Sequence, residues 1–341
     1  MNDIQYNFDR HQFDLDGKAI LVTGGTGSFG RAFVRRVLEK YDISRCIVFS
    51  RDELKQYEMA QEFPAGPGRP IRYFIGDVRD VERLELAMRG VDFVVHAAAL
   101  KHVQTAEYNP FEATKTNING AENVVIAAIR AGVRNVIALS TDKACNPINL
   151  YGATKLAADK IFVAGNNLSG AGGCIFSVVR YGNVIGSRGS VVPLFEQLIA
   201  KGALELPITD YRMTRFWITL EQGISFVLSC MSLMQGGEIF VPKIPSMKIT
   251  DLANCMAPQI ELKEVGIRAG EKLHEVMISE DDARTTLEFD DRYAILTPFL
   301  NPQKVFYRQS GGKSVEGGFR YASDTNTRWL SAEDFKRIIK K

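Results

Sequence analysis

Cysteine is sparse in this 341-residue chain. Cys46, Cys145, Cys174, Cys230 and Cys255 are odd in number and far apart, and none forms a C-x-x-C pair. That pattern excludes a disulfide framework and a structural zinc site. Reduced thiols of a cytoplasmic protein are the natural reading. Long apolar runs are missing as well: none reaches the ~18 residues needed to span a bilayer. The polar start, Met1–Asp16, lacks the apolar core of a signal peptide, and its role is unassigned. A dense Lys/Arg block is absent, and the formal net charge is only +2. Neither a nucleic acid nor a membrane is therefore an expected partner. The four histidines form no ligand cluster, so no metal is expected. There is no internal repeat and no low-complexity tract.

What is present is an ordinary globular composition, 45% apolar and 24% charged. In the first half, short apolar runs alternate with amphipathic stretches. Strands are expected at Ala19–Val22, Cys46–Phe49, Tyr73–Ile75, Phe93–His96, Val136–Leu139 and Phe176–Val179. Helices are expected at Ser28–Tyr41, Val81–Arg89 and Asn119–Ala131. Strand, helix, strand in this rhythm means right-handed crossovers. The runs lack alternation, which suits strands covered on both faces. The fold class is α/β, a doubly wound parallel sheet of the Rossmann kind with a smaller interleaved C-terminal substrate domain. Helices at Val191–Lys201 and Thr219–Met234 precede a strand at Glu238–Val241 that rejoins the sheet. The expected division is 1–185 plus about 218–246 for the dinucleotide half, and about 186–217 plus 247–341 for the substrate half.

The first strand runs into Thr23-Gly24-Gly25-Thr26-Gly27-Ser28-Phe29-Gly30. Glycine is needed where a turn takes positive φ and where backbone approaches a pyrophosphate. The next helix starts near Ser28, so its first amides face the anion. A glycine pattern alone is weak, but this one lies between a strand and a helix at the first crossover. Gly24, Thr26, Gly27, Ser28, Phe29 and Gly30 are the candidate cradle. The nucleotide type is read 20 residues after Gly30, at Ser50-Arg51. A hydroxyl and a guanidinium suit a 2′-phosphate, hence NADP. A register shift would instead make Asp52 the acid that holds an NAD ribose. Asp77 and Val78, after the third strand, are candidates for the adenine edge.

The fifth strand ends in Ser140-Thr141-Asp142-Lys143, and eight residues after Lys143 comes Tyr151-Gly152-Ala153-Thr154-Lys155. Tyr151 and Lys155 are four apart and share one helix face. A phenol titrates near ~10, and a neighbouring ammonium favours phenolate. Tyr151 is then a candidate base for oxidising a carbinol. Y-x-x-x-K is common by chance; its place after a dinucleotide turn and a strand end gives it weight. Asp142-Lys143, taken alone, reads first as a surface ion pair on a loop. Cys145 reads as packing, and His96, at a strand end, as a backbone or cofactor contact.

These residues carry a resemblance. The glycine turn, Tyr151 with Lys155, and His96-Ala97-Ala98-Ala99 resemble the extended short-chain dehydrogenases/reductases. SRDELKQ (Ser50–Gln56), GDVRD (Gly76–Asp80), HAAALKHV (His96–Val103), STDKA (Ser140–Ala144), VRYGNVIGSRGSVVP (Val179–Pro193) and IRAGEKLHEVM (Ile267–Met277) occur together. The set resembles the inverting UDP-N-acetylglucosamine 4,6-dehydratases of pseudaminic acid biosynthesis, over roughly residues 17 to 338. Retaining sugar-nucleotide dehydratases carry Asp-Glu where this chain has Asp142-Lys143. Ala269 departs from the Pro often found before Gly270, away from the chemistry.

The resemblance implies NADP as cofactor, with Ala97, Ala98, Ala99, Lys101, Asn117, Tyr151 and Lys155 added to its site. It implies UDP-N-acetylglucosamine as substrate, reached by Lys101, Thr141, Asn183, Ser187, Arg188, Arg215, Arg268 and Glu271. Tyr151 and Lys155 would serve oxidation at carbon 4, with Thr141 on the carbon 4 oxygen. Asp142 and Lys143 would serve elimination and reprotonation, with acid and base not assigned between them. A homo-oligomer is implied, a hexamer among its forms. A retaining dehydratase, a 4-epimerase and an NADP-sensing regulator are the rivals. The epimerase has no use for the Asp142-Lys143 pair, and regulators of this kind generally lose Tyr or Lys.

Overall fold

The computed structural model describes residues 8, 13–187, 189–297 and 301–339. Six strands, β1 (Ala19–Thr23), β2 (Arg45–Ser50), β3 (Ile71–Ile75), β4 (Phe93–His96), β5 (Asn135–Thr141) and β6 (Ile175–Tyr181), lie parallel in the order β6-β5-β4-β1-β2-β3. The strand order reverses between β1 and β4. In an open α/β sheet that switch point opens a crevice beyond the strand carboxyl ends, where ligands bind. All five residues of β1 and all four of β4 are buried, as expected for apolar runs covered on both faces.

The sheet does not stop at β6. Ile239–Pro242 pairs parallel with β6, and Arg292–Ile295, Thr286–Glu288 and Lys313–Ser314 follow antiparallel. The expected division assigned everything after 246 to the substrate half. Leu287, Tyr293, Ala294 and Ile295 instead pack into the core of the sheet. Periodicity could not reveal this, because strands of three or four residues are too short to carry it.

A second, smaller core lies over the carboxyl ends. Phe195, Trp217, Leu252 and Phe335 anchor it. The chain enters it after β6, returns to the sheet at Ile239–Pro242, and enters it again, so the two bodies interleave. Its elements include the helices Val191–Ala200, Ile249–Met256 and Ala332–Ile339, and the pairs Glu205–Ile208 with Glu261–Glu264 and Thr214–Ile218 with Ser246–Lys248.

The helix that matters most to the site is Leu150–Ser169. The Asn149 side chain caps its start by accepting from Gly152 N at 2.7 Å. Tyr151, Lys155, Ala158, Asp159 and Phe162 lie on its buried face. Asp159 meets Arg180 of β6, Nη2 to Oδ2 3.2 Å, with both side chains 2% exposed. Arg180 also donates to Met277 O at 2.9 Å. One buried guanidinium thus joins the helix, the sheet and the second half. Removing one partner strands a charge in the interior. Asp159→Ala is therefore expected to cost about 3–5 kcal/mol of stability, read as a lower urea midpoint. An unchanged midpoint contradicts this role.

Candidate active site

The crevice holds a cleft of about 1040 Å³ that runs from the glycine turn to the second body. Gly24 takes φ +65°, and a Cβ there would come within 2.9 Å of the Ala98 backbone. Turn and β4 exit therefore meet backbone to backbone, leaving amides rather than side chains to line the cradle. The helix α1 (Ser28–Lys40) starts at Gly27 with no side-chain cap. Its first amides lack intrahelical partners and point at the cleft. This cradle fits the diphosphate of a dinucleotide.

At the end of β2, Ser50 Oγ lies 2.8 Å from Thr26 Oγ1. Asp52 caps the following helix, its Oδ1 accepting from Lys55 N at 3.0 Å and its Oδ2 from Lys55 Nζ at 2.5 Å. Both oxygens of that carboxylate are thus engaged. Arg51 is half exposed, and its nearest anion is Asp77 at 3.7 Å. The corner offers a hydroxyl and a guanidinium, the pair suited to a 2′-phosphate.

The floor is built by β5 and the helix after it. Thr141 Oγ1 donates to Asp142 Oδ1 at 2.8 Å, and Lys143 Nζ lies 3.1 Å from the same oxygen. Lys143 Nζ also lies 3.1 Å from Glu275 Oε1. Arg215 Nε lies 3.7 Å from the same oxygen. Asp142, Lys143, Glu275 and Arg215 thus alternate in sign. Burial and the nearby Glu275 push the Asp142 carboxyl up. Burial opposes the Lys143 charge, but Asp142 and Glu275 outweigh it and hold the ammonium above its ordinary range. Burial acts against the Glu275 charge too, and Lys143 and Arg215 still bring it below the usual carboxylate range. The fully ionic Lys143–Glu275 contact leaves Asp142 as the more readily protonated carboxyl.

Burial pushes the Tyr151 phenol up to about 12, against the pull of the nearby Lys143 ammonium. The expected help from Lys155 is missing in the protein alone. Lys155 Nζ donates to Leu139 O at 2.8 Å, and burial lowers its own affinity for a proton. The cation acting on Tyr151 here is Lys143.

Of the residues singled out in the sequence, Gly24, Thr26, Gly27, Ser28, Phe29, Gly30, Ser50, Arg51, Asp77, Val78, Ala97, Ala98, Ala99, Lys101, Thr141, Lys143, Tyr151, Lys155, Asn183, Ser187, Arg215, Arg268 and Glu271 line this one cleft. Arg188 lies outside the described residues. Asp142 is buried just behind the floor. Asn117 also stands behind the wall: it exchanges two hydrogen bonds with Leu100, at 2.8 and 3.0 Å, and donates to Thr154 Oγ1 at 3.0 Å. It fixes the β4 exit loop to the Tyr151 helix. His96 is likewise internal, with Nδ1 2.9 Å from Thr23 Oγ1, and burial drives its pKa down to about 3. Arg215 was expected on the substrate. Its Nη atoms donate instead to the carbonyls of Thr214, Leu273 and Lys272. Arg268 is exposed at the rim of the cleft.

Among the lining residues that the sequence reading did not single out are Glu275, and Lys272, whose Nζ donates to Cys145 O at 2.5 Å. Both lie within IRAGEKLHEVM. Nothing local marks them, because Cys145 and Lys143, which they contact on the loop after β5, are more than 120 positions away.

The comparisons agree with this geometry. The family model described as polysaccharide biosynthesis protein matches residues 20–297. A Campylobacter jejuni protein named UDP-N-acetylglucosamine 4,6-dehydratase (inverting) is 59% identical over 330 residues, 95% of this chain and 98% of its own. A Rickettsia canadensis protein named UDP-glucose 4-epimerase is 39% identical over 94% of this chain and 95% of its own. The X-ray structure of Pen from Bacillus thuringiensis superposes with a TM-score of 0.86 at 37% identity, covering 96% of this chain and 98% of that one.

The cradle depends on a close approach within the turn. A Cβ on Gly30 would fall 2.5 Å from Gly25 Cα and 2.6 Å from Gly25 O. Gly30→Ala is expected to lose about 1–3 kcal/mol of stability through overpacking and to weaken dinucleotide binding. Gly223→Ala, where a Cβ meets nothing within 4 Å on the helix Leu220–Leu233, is the control and should be neutral or better. Thermal melting with and without dinucleotide checks both. Equal behaviour of the two variants contradicts the close-packed turn.

Proposed function

The chain belongs to the polysaccharide biosynthesis protein family, within the extended short-chain dehydrogenases/reductases, and on that premise we propose how it works as an inverting UDP-N-acetylglucosamine 4,6-dehydratase. One observation carries the reading: a phenol, an ammonium and a buried carboxyl, Tyr151, Lys143 and Asp142, converge beside a dinucleotide cradle. A hydro-lyase needs a base for carbon 4, a proton acceptor for carbon 5 and a donor for the departing carbon 6 hydroxyl. The product is the L-arabino 4-keto-6-deoxy sugar nucleotide.

A nicotinamide dinucleotide, when bound, supplies reversible hydride storage, with no net redox over the cycle. The chain's own residues move the protons. Tyr151 takes the proton of the carbon 4 hydroxyl, and Thr141 orients that oxygen. Its phenol sits high in the protein alone, and positive charge brought beside it on binding works in the direction of phenolate. Lys155 stands one turn away to hold the nicotinamide ribose. The ketone at carbon 4 acidifies carbon 5, and the Asp142–Lys143 pair handles loss and return of that proton. Acid and base are not assigned between the two: the Asp142 carboxyl leans toward its protonated form, and Lys143 must give up its own proton before it can take that of carbon 5. The occupied carboxylate of Asp52, beside Ser50 and Arg51, supports NADP over NAD. Arg268 and Glu271 are the proposed grips on diphosphate and ribose. We include in the proposal a homo-oligomer, a hexamer among its forms, working in the cytoplasm. Among the described residues no helix is long and apolar enough to cross a membrane.

The Rickettsia relative's name keeps a 4-epimerase in view. That reaction needs Tyr151 and Lys155 but leaves Asp142 and Lys143 idle. Incubation with UDP-N-acetylglucosamine separates the two: the dehydratase product is lighter by one water, and the epimer has unchanged mass. Tyr151→Phe should keep fold and cofactor and lose about 10²-fold or more of turnover. Denatured wild type should release the 2′-phosphorylated dinucleotide. An epimer of unchanged mass, or an active Tyr151→Phe enzyme, overturns the reading.

A further inference from the structure

Lys143 is gripped from two sides. Asp142, its chain neighbour, contacts Nζ at 3.1 Å, and Glu275, 132 positions later, contacts it at the same distance. The two carboxylates differ in how they are held. Asp142 turns with Lys143, being on the same short helical turn Asp142–Ala144. A contact to it alone lets carboxylate and ammonium swing together. Glu275 belongs to the other half of the molecule and is fixed independently. Its amide donates to Ser323 Oγ at 2.9 Å, and Ser323 N donates back to its carbonyl at 2.8 Å. Ser323 Oγ is tied in turn to Thr214 Oγ1 at 2.7 Å. Arg215, whose Nη donors are taken by three carbonyls, adds a fixed cation, its Nε 3.7 Å from the oxygen that Lys143 contacts. Glu275 itself is 1% exposed.

We propose that Glu275 is the positioning residue of Lys143, a fixed anion on the substrate half that sets where the catalytic ammonium stands over the sugar. The inference rests on the dehydratase reading. A lysine stem has four rotatable carbons, and its head is a point charge. Two carboxylates from independent segments define one location for such a head, whereas one leaves an arc. The arrangement also makes the second body part of the catalytic floor, since neither half alone holds Lys143 in place. The charged and titratable groups around the ammonium are Asp142 on its own turn, Tyr151 on the following helix, and Arg215, Lys272 and Glu275 on the second half. Among them Glu275 is the anion that a substitution removes without touching the turn that carries Lys143.

Glu275→Gln keeps the shape and deletes the charge. The expected result is a folded, dinucleotide-bound enzyme whose kcat falls about 10²-fold with KM little changed. The decisive readout does not use turnover. Trace acetic anhydride labels only unprotonated amines, and mass spectrometry follows Lys143 across pH. Its labelling midpoint should drop by about 1–3 in pH in Glu275→Gln. Glu275→Asp, which keeps the charge, should stay nearer wild type in midpoint while remaining slow. A Lys143 midpoint unchanged in folded Glu275→Gln, or a kcat within a few-fold of wild type, overturns the proposal. If Glu275→Gln does not fold, wild type decides: Lys143 must label with a midpoint above that of exposed Lys201, and a midpoint at or below it overturns the grip. If wild type labels as expected but releases no water from substrate, the dehydratase reading fails and the grip of Glu275 stands.

Discussion

A half-buried ammonium on the cleft floor is the constraint around which this structure is organised. Lys143, its side chain 23% exposed, keeps only part of the solvation that water would give it, and anions beside it make up the rest. Asp142 and Glu275, from separate segments of the chain, meet that need. Two carboxylates around one ammonium leave an excess of negative charge, which a shared proton or a further cation must balance. Arg215 balances Glu275, and Asp142 is left as the carboxyl that leans toward protonation.

The interleaved chain follows from the same demand. The doubly wound sheet supplies a crevice, a cradle for an anionic dinucleotide and a long helix carrying Tyr151 and Lys155. It does not supply the second carboxylate. That comes from Glu275, ahead of the strand Val276–Ile278, which pairs with Tyr321–Ala322. Lys272 donating to Cys145 O, and Asn149 donating to Gly270 O at 2.7 Å, add two more ties between the catalytic loop and the substrate half. The loop after β5 is thus held in place by the second body.

Much of this was legible in the sequence. The parallel strands were readable because buried apolar runs, glycine turns and amphipathic helices are local signals. The cleft residues of the glycine turn, Ser50, Tyr151 and Lys155 were readable from motif and spacing. The Asp142-Lys143 dipeptide took its meaning from Tyr151 and from family resemblance. What was not legible depends on long-range approach. Glu275 has no periodic signature. Arg215 looked like a free cation because its carbonyl partners are invisible in a string of letters. Asn117 looked like a ligand contact because a buried amide pinning a loop leaves no mark in sequence. The short antiparallel strands after residue 285 were missed for want of length. Asp52 could be weighed only as the register alternative to Ser50-Arg51, because its place as a helix cap accepting from Lys55 is not visible in the sequence.

The central claim is that one site removes water and inverts carbon 5. Turnover in deuterium oxide, with the product examined by proton NMR at early times, tests it directly. The account requires deuterium at carbon 5 and coupling constants of the L-arabino 4-keto-6-deoxy sugar from the first turnovers. Early product of the D-xylo configuration, with the L form appearing only slowly and without enzyme, would contradict it.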